Sequence, residues 1–474
     1  MNHHEPRGIG ARKMSHVIDR QPDAMSLGEF AGWIRETDPH AEYHIELAAE
    51  AERVLRGEGE ASREYREELA DKLERWRYQL LNHFSGQLAP TDWDLADALD
   101  LASNALAGRP TRPPRLTRVA VGAGGARVVP ELDSVTDGLE ELEAYLQSDA
   151  DEEELIGRAR GLTIENFSRL GEKGTRTRVM KLYAPLYLSN YCINYCLYCG
   201  FRYPHTLERM HLDEAEALEQ AEILWDRGFR HVLLVAGDFP QLTSVEYFEG
   251  IVCKLRQRGF RVAIEIAPQS TRGYARLVRA GVTGLTLYQE TYDEECYRHH
   301  HPRGSKASYD WRLEGPERAA EAGVGRLGLG ILLGLNDPVC DLMAMIRHGR
   351  YLRARFPNAR LAFSLPRIRE APDDFETPCP VDDELFVRLY CVLRLAFPDA
   401  DLVLSTREPV PLRNRLAKIC ITQMSAGSRT APGGYEDAGA DCPNRQQFPV
   451  ADQRSPAEVA QWLREHGFAL QWTF

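Results

Sequence analysis

Residues 181–202 read KLYAPLYLSNYCINYCLYCGFR, an apolar run that ends in three cysteines within eight positions. The first part, LYAPLYL, lacks the polar–apolar alternation of a half-exposed strand, as expected of a parallel strand covered on both faces. Seven further short apolar or β-branched runs follow, near residues 230–236, 260–266, 282–288, 325–332, 359–365, 400–405 and 418–424, with helical stretches between them. Eight strand–helix repeats predict an α/β fold, a (β/α)8 TIM barrel, with a doubly wound open sheet as the structural alternative. The barrel is favoured by the position of the chemically distinctive residues. They recur at the C-terminal ends of strands, where barrel enzymes carry their catalytic groups.

The cysteines Cys192, Cys196 and Cys199 form a C-x3-C-x2-C array on the loop after the first strand. Three thiolates can bind three irons of a cubane cluster, and the fourth iron then has no protein ligand. That open iron can hold a substrate or cofactor. A structural zinc site needs a fourth Cys or His to close its tetrahedron, and His205 is the nearest candidate. Three buried metal-free cysteines is the poorest reading, because thiols so closely spaced on a loop cannot all enter one core. Ten cysteines in 474 residues are too sparse for a disulfide scaffold.

Upstream, residues 26–107 show apolar residues three and four apart among Glu, Arg and Lys, as in AEYHIELAAEAERVL, and predict amphipathic helices without a catalytic constellation. The stretch GRPTRPPRL, residues 108–116, suits a linker because proline cannot continue a helix. The expected organisation is a helical N-terminal extension of unknown role (1–115), a helical lead-in (116–175) and the barrel with a C-terminal closing segment (176–474). With 43% hydrophobic and 27% charged residues the chain has a globular composition. No apolar run is long enough to span a membrane, and the polar start has no signal-peptide core, so the cytoplasm is the expected address. A net charge of -13 argues against nucleic acid, whose phosphates attract clustered Lys and Arg.

From about Leu142 to Phe474 the chain resembles the radical S-adenosylmethionine aromatic amino acid lyases, a family that includes 2-iminoacetate synthase, the tyrosine lyase of thiamine biosynthesis. The resemblance is carried by LYAPLYLSNYC (182–192), CLYCGFR (196–202), LYQETYDEECYRHHHPRGSKASYDWRL (287–313), GLGILLGLND (328–337), SLPRIR (364–369), LSTREP (404–409) and QMSAGSRTAPGGY (423–435). It implies a barrel of the radical SAM type holding a 4Fe-4S cluster on the three cysteines. It also implies that S-adenosyl-L-methionine chelates the open iron and releases a 5'-deoxyadenosyl radical. The implied partners are an aromatic amino acid substrate, an electron donor such as flavodoxin or ferredoxin, and a thiazole synthase subunit.

The other strand ends supply further candidates. Asp238, in Ala236-Gly237-Asp238, stands where the family has a small-Gly-Glu motif for the methionine amino group; it is one methylene short, and Gly-Asp is also an ordinary turn. Glu265 lies in the apolar strand IEIAP, where an unpaired carboxylate costs several kcal/mol, which calls for a partner in the adenosylmethionine pocket or a barrel arginine. Gln289 and Glu290 follow strand four by the same reasoning. Arg367, Arg369 and Arg407 offer planar forks that suit a carboxylate, and Arg367 is counted with Asp238, Glu265, Gln289 and Glu290 among the cofactor-binding candidates. The resemblance assigns the substrate carboxylate to Arg407 with help from Ser425; ion pairing to Glu408 is the structural alternative for these arginines. Tyr187 matches a tyrosine beside the substrate, or is core packing. His299, His300 and His301 read as a solvated loop rather than a metal site. The glycine-rich Gly427–Tyr435 follows strand eight, where barrels often bind phosphate; by resemblance it closes over the active site.

The leading expectation is Cα–Cβ cleavage of L-tyrosine to p-cresol and dehydroglycine. The alternatives are a radical SAM lyase for tryptophan or another aromatic amino acid in specialised metabolism and, from another class, a non-catalytic iron–sulfur protein. The related hydrogenase-maturation lyase carries a second cluster on a C-terminal cysteine motif; here the last cysteine is Cys442 and the tail ends FALQWTF, which argues against that activity.

Overall fold

The computed structural model describes residues 26–38, 40–83, 90–109, 116–122, 133–147, 151–171, 174–371, 375–436 and 444–474. The chain divides into two compact units, Met1–Pro114 and Arg115–Phe474. Most of the proposed Pro- and Arg-rich linker, like Cys442, lies outside the described residues.

The first unit contains helices α1 (Ala31–Thr37), α2 (Ala41–Leu55), α3 (Arg63–His83) and α4 (Pro90–Leu106). Apolar positions three and four apart place Leu47, Ala51 and Val54 of α2 with Leu73 and Trp76 of α3 and Leu95 and Leu99 of α4 in one core. The His44 ring stacks on Trp76 at 4.4 Å, and its Nδ1 lies 2.6 Å from the Asp38 carboxylate.

In the second unit, four short to medium helices among the described residues between Leu116 and Asn166 lead into the barrel. Its eight parallel strands are β1 (Arg176–Ser189), β2 (His231–Ala236), β3 (Arg261–Glu265), β4 (Val282–Thr286), β5 (Arg326–Gly330), β6 (Arg360–Ser364), β7 (Asp401–Leu404) and β8 (Gln423–Ser425). Each pairs with the next, and β8 returns to β1 in the register Lys181↔Gln423, Leu182↔Met424, Tyr183↔Ser425. This closure rules out the open sheet. Side-chain alternation sends Leu182, Leu186, Leu234 and Ile264 outward into the layer shared with the helices, while Tyr183, Tyr187, Leu233, Val235 and Ala263 face the barrel interior. Both faces are covered, which is why the strands read as unbroken apolar runs.

The eighth strand is shorter than expected. The apolar run 418–424 suggests one strand, but helix Val410–Ile419 takes its beginning, because Leu412, Leu416 and Ile419 are the buried stripe of that helix. A further strand, β9 (Ala469–Gln471), pairs in parallel with β1, and the short strand Ser168–Leu170 pairs with it antiparallel. At the N-terminal end of the barrel, Lys181 bonds Asp401 at 2.7 Å and the His231 ring stacks on Phe474 at 4.0 Å.

Candidate active site

The cysteine loop leaves the C-terminal end of β1 and is pinned on several sides. Ile193 N donates to the Asp238 carbonyl (2.9 Å), Tyr195 N to Arg303 O (3.2 Å) and Leu197 N to His300 O (3.1 Å). The Asn194 amide donates to the Asp238 carboxylate (3.2 Å) and its Oδ1 accepts from Lys306 N (2.9 Å). Gly237 lets β2 end directly beneath this loop: a Cβ there would lie 2.3 Å from the Tyr191 carbonyl oxygen.

Cys196 is buried, and Cys192 and Cys199 are half-buried. Burial, with Cys199 adding to it, pushes the Cys192 thiol up to about 11; burial likewise raises Cys196, opposed by Lys306. A bound metal centre reverses that preference, since a coordinating thiol is deprotonated. Among the described residues no three His, Cys, Asp or Glu side chains converge on one ion position. A cubane does not require convergence, because each thiolate binds a different iron. His205 points its Nδ1 at the Gly200 carbonyl (3.0 Å). Three soft thiolates on one pinned loop therefore fit an iron–sulfur cluster with one open iron better than a closed zinc site.

The histidine run corrects its reading as a solvated loop. His299 and His300 end helix Glu294–His300, and His300 and His301 are buried. His301 bonds the Tyr198 hydroxyl through Nε2 (2.8 Å) and the Tyr297 carbonyl through Nδ1 (2.7 Å), so both ring nitrogens serve the support of the cysteine loop.

A cavity opens at the strand ends beside this loop. It gathers Tyr187 from β1, Glu265 from β3, Ser425 from β8 and Arg407 from the loop after β7, together with Tyr183, Tyr288, Ser364 and Phe448. Glu265 makes no hydrogen bond or ion pair among the described residues. Burial and nearby Glu290 push its carboxyl up to about 7 against the pull of Arg407, Arg312 and Lys306. The Arg407 guanidinium lies 3.4 Å over the Phe448 ring and has no acidic partner among the described residues. Ser425 Oγ accepts from Thr406 N (3.1 Å), while Arg413, paired with buried Asp452, donates to the Ser425 carbonyl. Tyr187 is buried, with its hydroxyl donating to Gln447 Oε1 (2.8 Å).

Arg367 is not brought to this cavity. Its Nε and Nη2 donate to Glu408 (3.2 and 2.5 Å), Nη2 also to Asp383 (2.7 Å), and Nη1 to the Val381 carbonyl (2.8 Å). Arg369 reaches the same Glu408 at 3.3 Å. The structural alternative therefore accounts for Arg367 and Arg369, and it leaves Arg407 without Glu408. Glu290 is likewise engaged: Lys306 Nζ lies 2.6 Å and Arg312 Nη2 3.7 Å from its Oε1, and its backbone sits at φ 73°. Gln289 is buried, with its Nε2 lacking a hydrogen-bond partner among the described residues, and Asp238 stands under the cysteine loop rather than in the cavity. Gln447 and Phe448 were not anticipated, because QQFP carries no motif of its own. Ser428 and Thr430, also lining the cavity, belong to the anticipated closing loop.

A closed parallel barrel with a C-x3-C-x2-C loop at the mouth of its cavity defines the class, a radical S-adenosylmethionine enzyme. Residues 186–348 match the Radical SAM superfamily and residues 364–469 the Biotin and Thiamin Synthesis associated domain. The chain is 36% identical to 2-iminoacetate synthase of Escherichia coli (strain K12) over 321 residues, covering 68% of this chain and 82% of that protein. Among solved structures, the FeFe-hydrogenase maturase HydG from Carboxydothermus hydrogenoformans is similar at 34% identity and a TM-score of 0.63, over 72% of this chain and 80% of that one. Methylornithine synthase, at 21% identity and a TM-score of 0.56, shares the fold over 72% of this chain and 97% of that one.

The chain belongs to the 2-iminoacetate synthase family of radical SAM carbon–carbon lyases. Its cofactors are a 4Fe-4S cluster and S-adenosyl-L-methionine. No helix among the described residues is long and apolar enough to cross a membrane.

Proposed function

We propose that the enzyme cleaves the Cα–Cβ bond of L-tyrosine, releasing p-cresol and dehydroglycine (2-iminoacetate) for thiamine thiazole synthesis. The observation that carries this reading is Arg407, an unpaired guanidinium stacked on Phe448 inside a cavity with an aromatic and aliphatic wall. Such a fork receives an amino acid carboxylate in two hydrogen bonds, with Ser425 beside it, and Tyr187 flanks the substrate.

In this reading Cys192, Cys196 and Cys199 hold the cluster, and Asp238, Glu265 and Gln289 serve the S-adenosylmethionine side. Glu290 supports that side indirectly through Lys306. When bound, the cluster and S-adenosylmethionine supply a 5'-deoxyadenosyl radical that takes one hydrogen atom from the substrate. The buried walls keep out water and competing hydrogen donors. After Cα–Cβ cleavage the aromatic fragment takes up one electron and one proton to become p-cresol. A reductant is therefore consumed, and a flavodoxin or ferredoxin is the expected donor; a thiazole synthase subunit is the expected acceptor of dehydroglycine.

The test is an anaerobic assay of reconstituted protein with reductant, S-adenosylmethionine and L-tyrosine. The expected result is 5'-deoxyadenosine together with p-cresol. Deoxyadenosine without p-cresol refutes tyrosine as the substrate, and no deoxyadenosine with any aromatic amino acid refutes the catalytic reading.

A further inference from the structure

Residues 444–448 form a strap between the cysteine loop and the closing loop. Glu208 N donates to Asn444 O (2.9 Å) and the Asn190 amide to Arg445 O (3.2 Å). On the other side, Gln447 N donates to Thr430 O (2.9 Å) and Thr430 Oγ1 to Phe448 O (2.7 Å). The strap lies directly on the cysteine loop: a Cβ on Gly200 would meet the Gln447 carbonyl oxygen at 2.4 Å.

The Gln447 carboxamide spans the gap between metal site and cavity. Its Oε1 accepts from the Tyr187 hydroxyl at 2.8 Å, and its Nε2 lies 3.8 Å from Cys199 Sγ. An amide has one acceptor end and one donor end, and this orientation satisfies both neighbours. The flipped amide would set oxygen lone pairs against a thiolate.

We infer that Gln447 is a positioning residue that tunes the cluster, donating an N–H to the Cys199 thiolate while the same amide holds the hydroxyl of Tyr187. Hydrogen bonds to cluster sulfurs are among the groups that set reduction potential, and they favour the more negative, reduced state. The cavity tyrosine and the cluster are thereby joined through one side chain. The inference rests on the reading of Cys199 as a cluster ligand.

The test compares the cluster midpoint potential, by anaerobic titration followed by electron paramagnetic resonance, in reconstituted wild type, Gln447→Leu, Gln447→Glu and Tyr187→Phe. Gln447→Leu removes the donor, and the reduced-to-oxidised ratio at a fixed potential should fall by up to about tenfold, about 59 mV for a one-electron couple. Gln447→Glu keeps an acceptor for Tyr187 but puts negative charge at the sulfur, so its potential should fall at least as far. Tyr187→Phe leaves the sulfur contact in place and should keep the wild-type potential. Wild-type potentials in both Gln447 variants at full cluster content would overturn the inference, as would loss of the cluster from both while wild type retains it. A wild-type protein that takes up no cluster would instead overturn the reading of the three cysteines.

Discussion

Two arginines separated by forty residues illustrate how the site is resolved one side chain at a time. Arg407 is stacked on Phe448 with no acidic partner among the described residues, whereas Arg367 makes four hydrogen bonds to Glu408, Asp383 and a carbonyl. Arg407→Ala should leave the cluster spectrum unchanged but weaken tyrosine binding by about 2 kcal/mol or more, the usual loss for one partner of a buried charged pair; the dependence of rate on tyrosine concentration reports it. Arg367→Ala should act on stability instead. It strips buried Glu408 of its main partner, with Arg369 at 3.3 Å compensating only in part, and a loss of about 3 kcal/mol is expected in denaturant unfolding. Both arginines follow strands in similar short motifs; the resemblance gives the substrate carboxylate to Arg407, but ion pairing to Glu408 stays open for both on sequence. The separation depends on which of them reaches Glu408.

At the scale of elements, strand ends and helices support the cysteine loop from below and from the side. Gly237→Ala would drive a methyl group into the Tyr191 carbonyl, a backbone atom that cannot rotate away. Because supporting contacts around metal ligands are typically worth about 10–100-fold in affinity, iron retained per chain after desalting should fall while the circular dichroism spectrum persists. Helix Pro338–Arg355 offers a pH-dependent case. Burial raises the Asp341 carboxyl from the usual 3.8 to about 7, against hydrogen bonds from Tyr292 N and Thr291. The native state thus holds this proton longer than the unfolded chain does. Its contribution to stability is full below about pH 4, declines as pH rises toward 7 and is constant above that. Asp341→Asn should flatten this part of the stability–pH curve, measured as denaturant midpoints from pH 4.5 to 7.5. The histidine run belongs to this scale as well: as sequence it reads as hydrophilic loop, but its helix turns His300 and His301 inward beneath the cysteines.

At the scale of the whole molecule, two units each carry their own hydrophobic core, one from Leu27 to Leu106 and the other beginning at Ala120. A fragment of residues 115–474 should therefore unfold cooperatively and take up the cluster, checked by thermal circular dichroism and iron analysis. Loss of cooperative unfolding in the fragment would tie the extension to the stability of the barrel. By itself, the sequence determined the eight repeating strands and the cysteine array suited to an iron–sulfur cluster, because strand and helix periods are local and the three cysteines fall within eight positions. That the strands close into a barrel rather than an open sheet was decided by the pairing of β8 with β1, which is not local. It also singled out Tyr187, Glu265, Arg407 and Ser425, which sit at predictable strand ends. Only the tertiary structure decided that Arg367 and Glu290 are engaged in ion pairs, and that the unmarked strap 444–448 brings Gln447 and Phe448 to the site. The physical reason is distance along the chain: Gln447 meets Tyr187 across 260 positions, and no local pattern encodes a contact made only when the barrel closes.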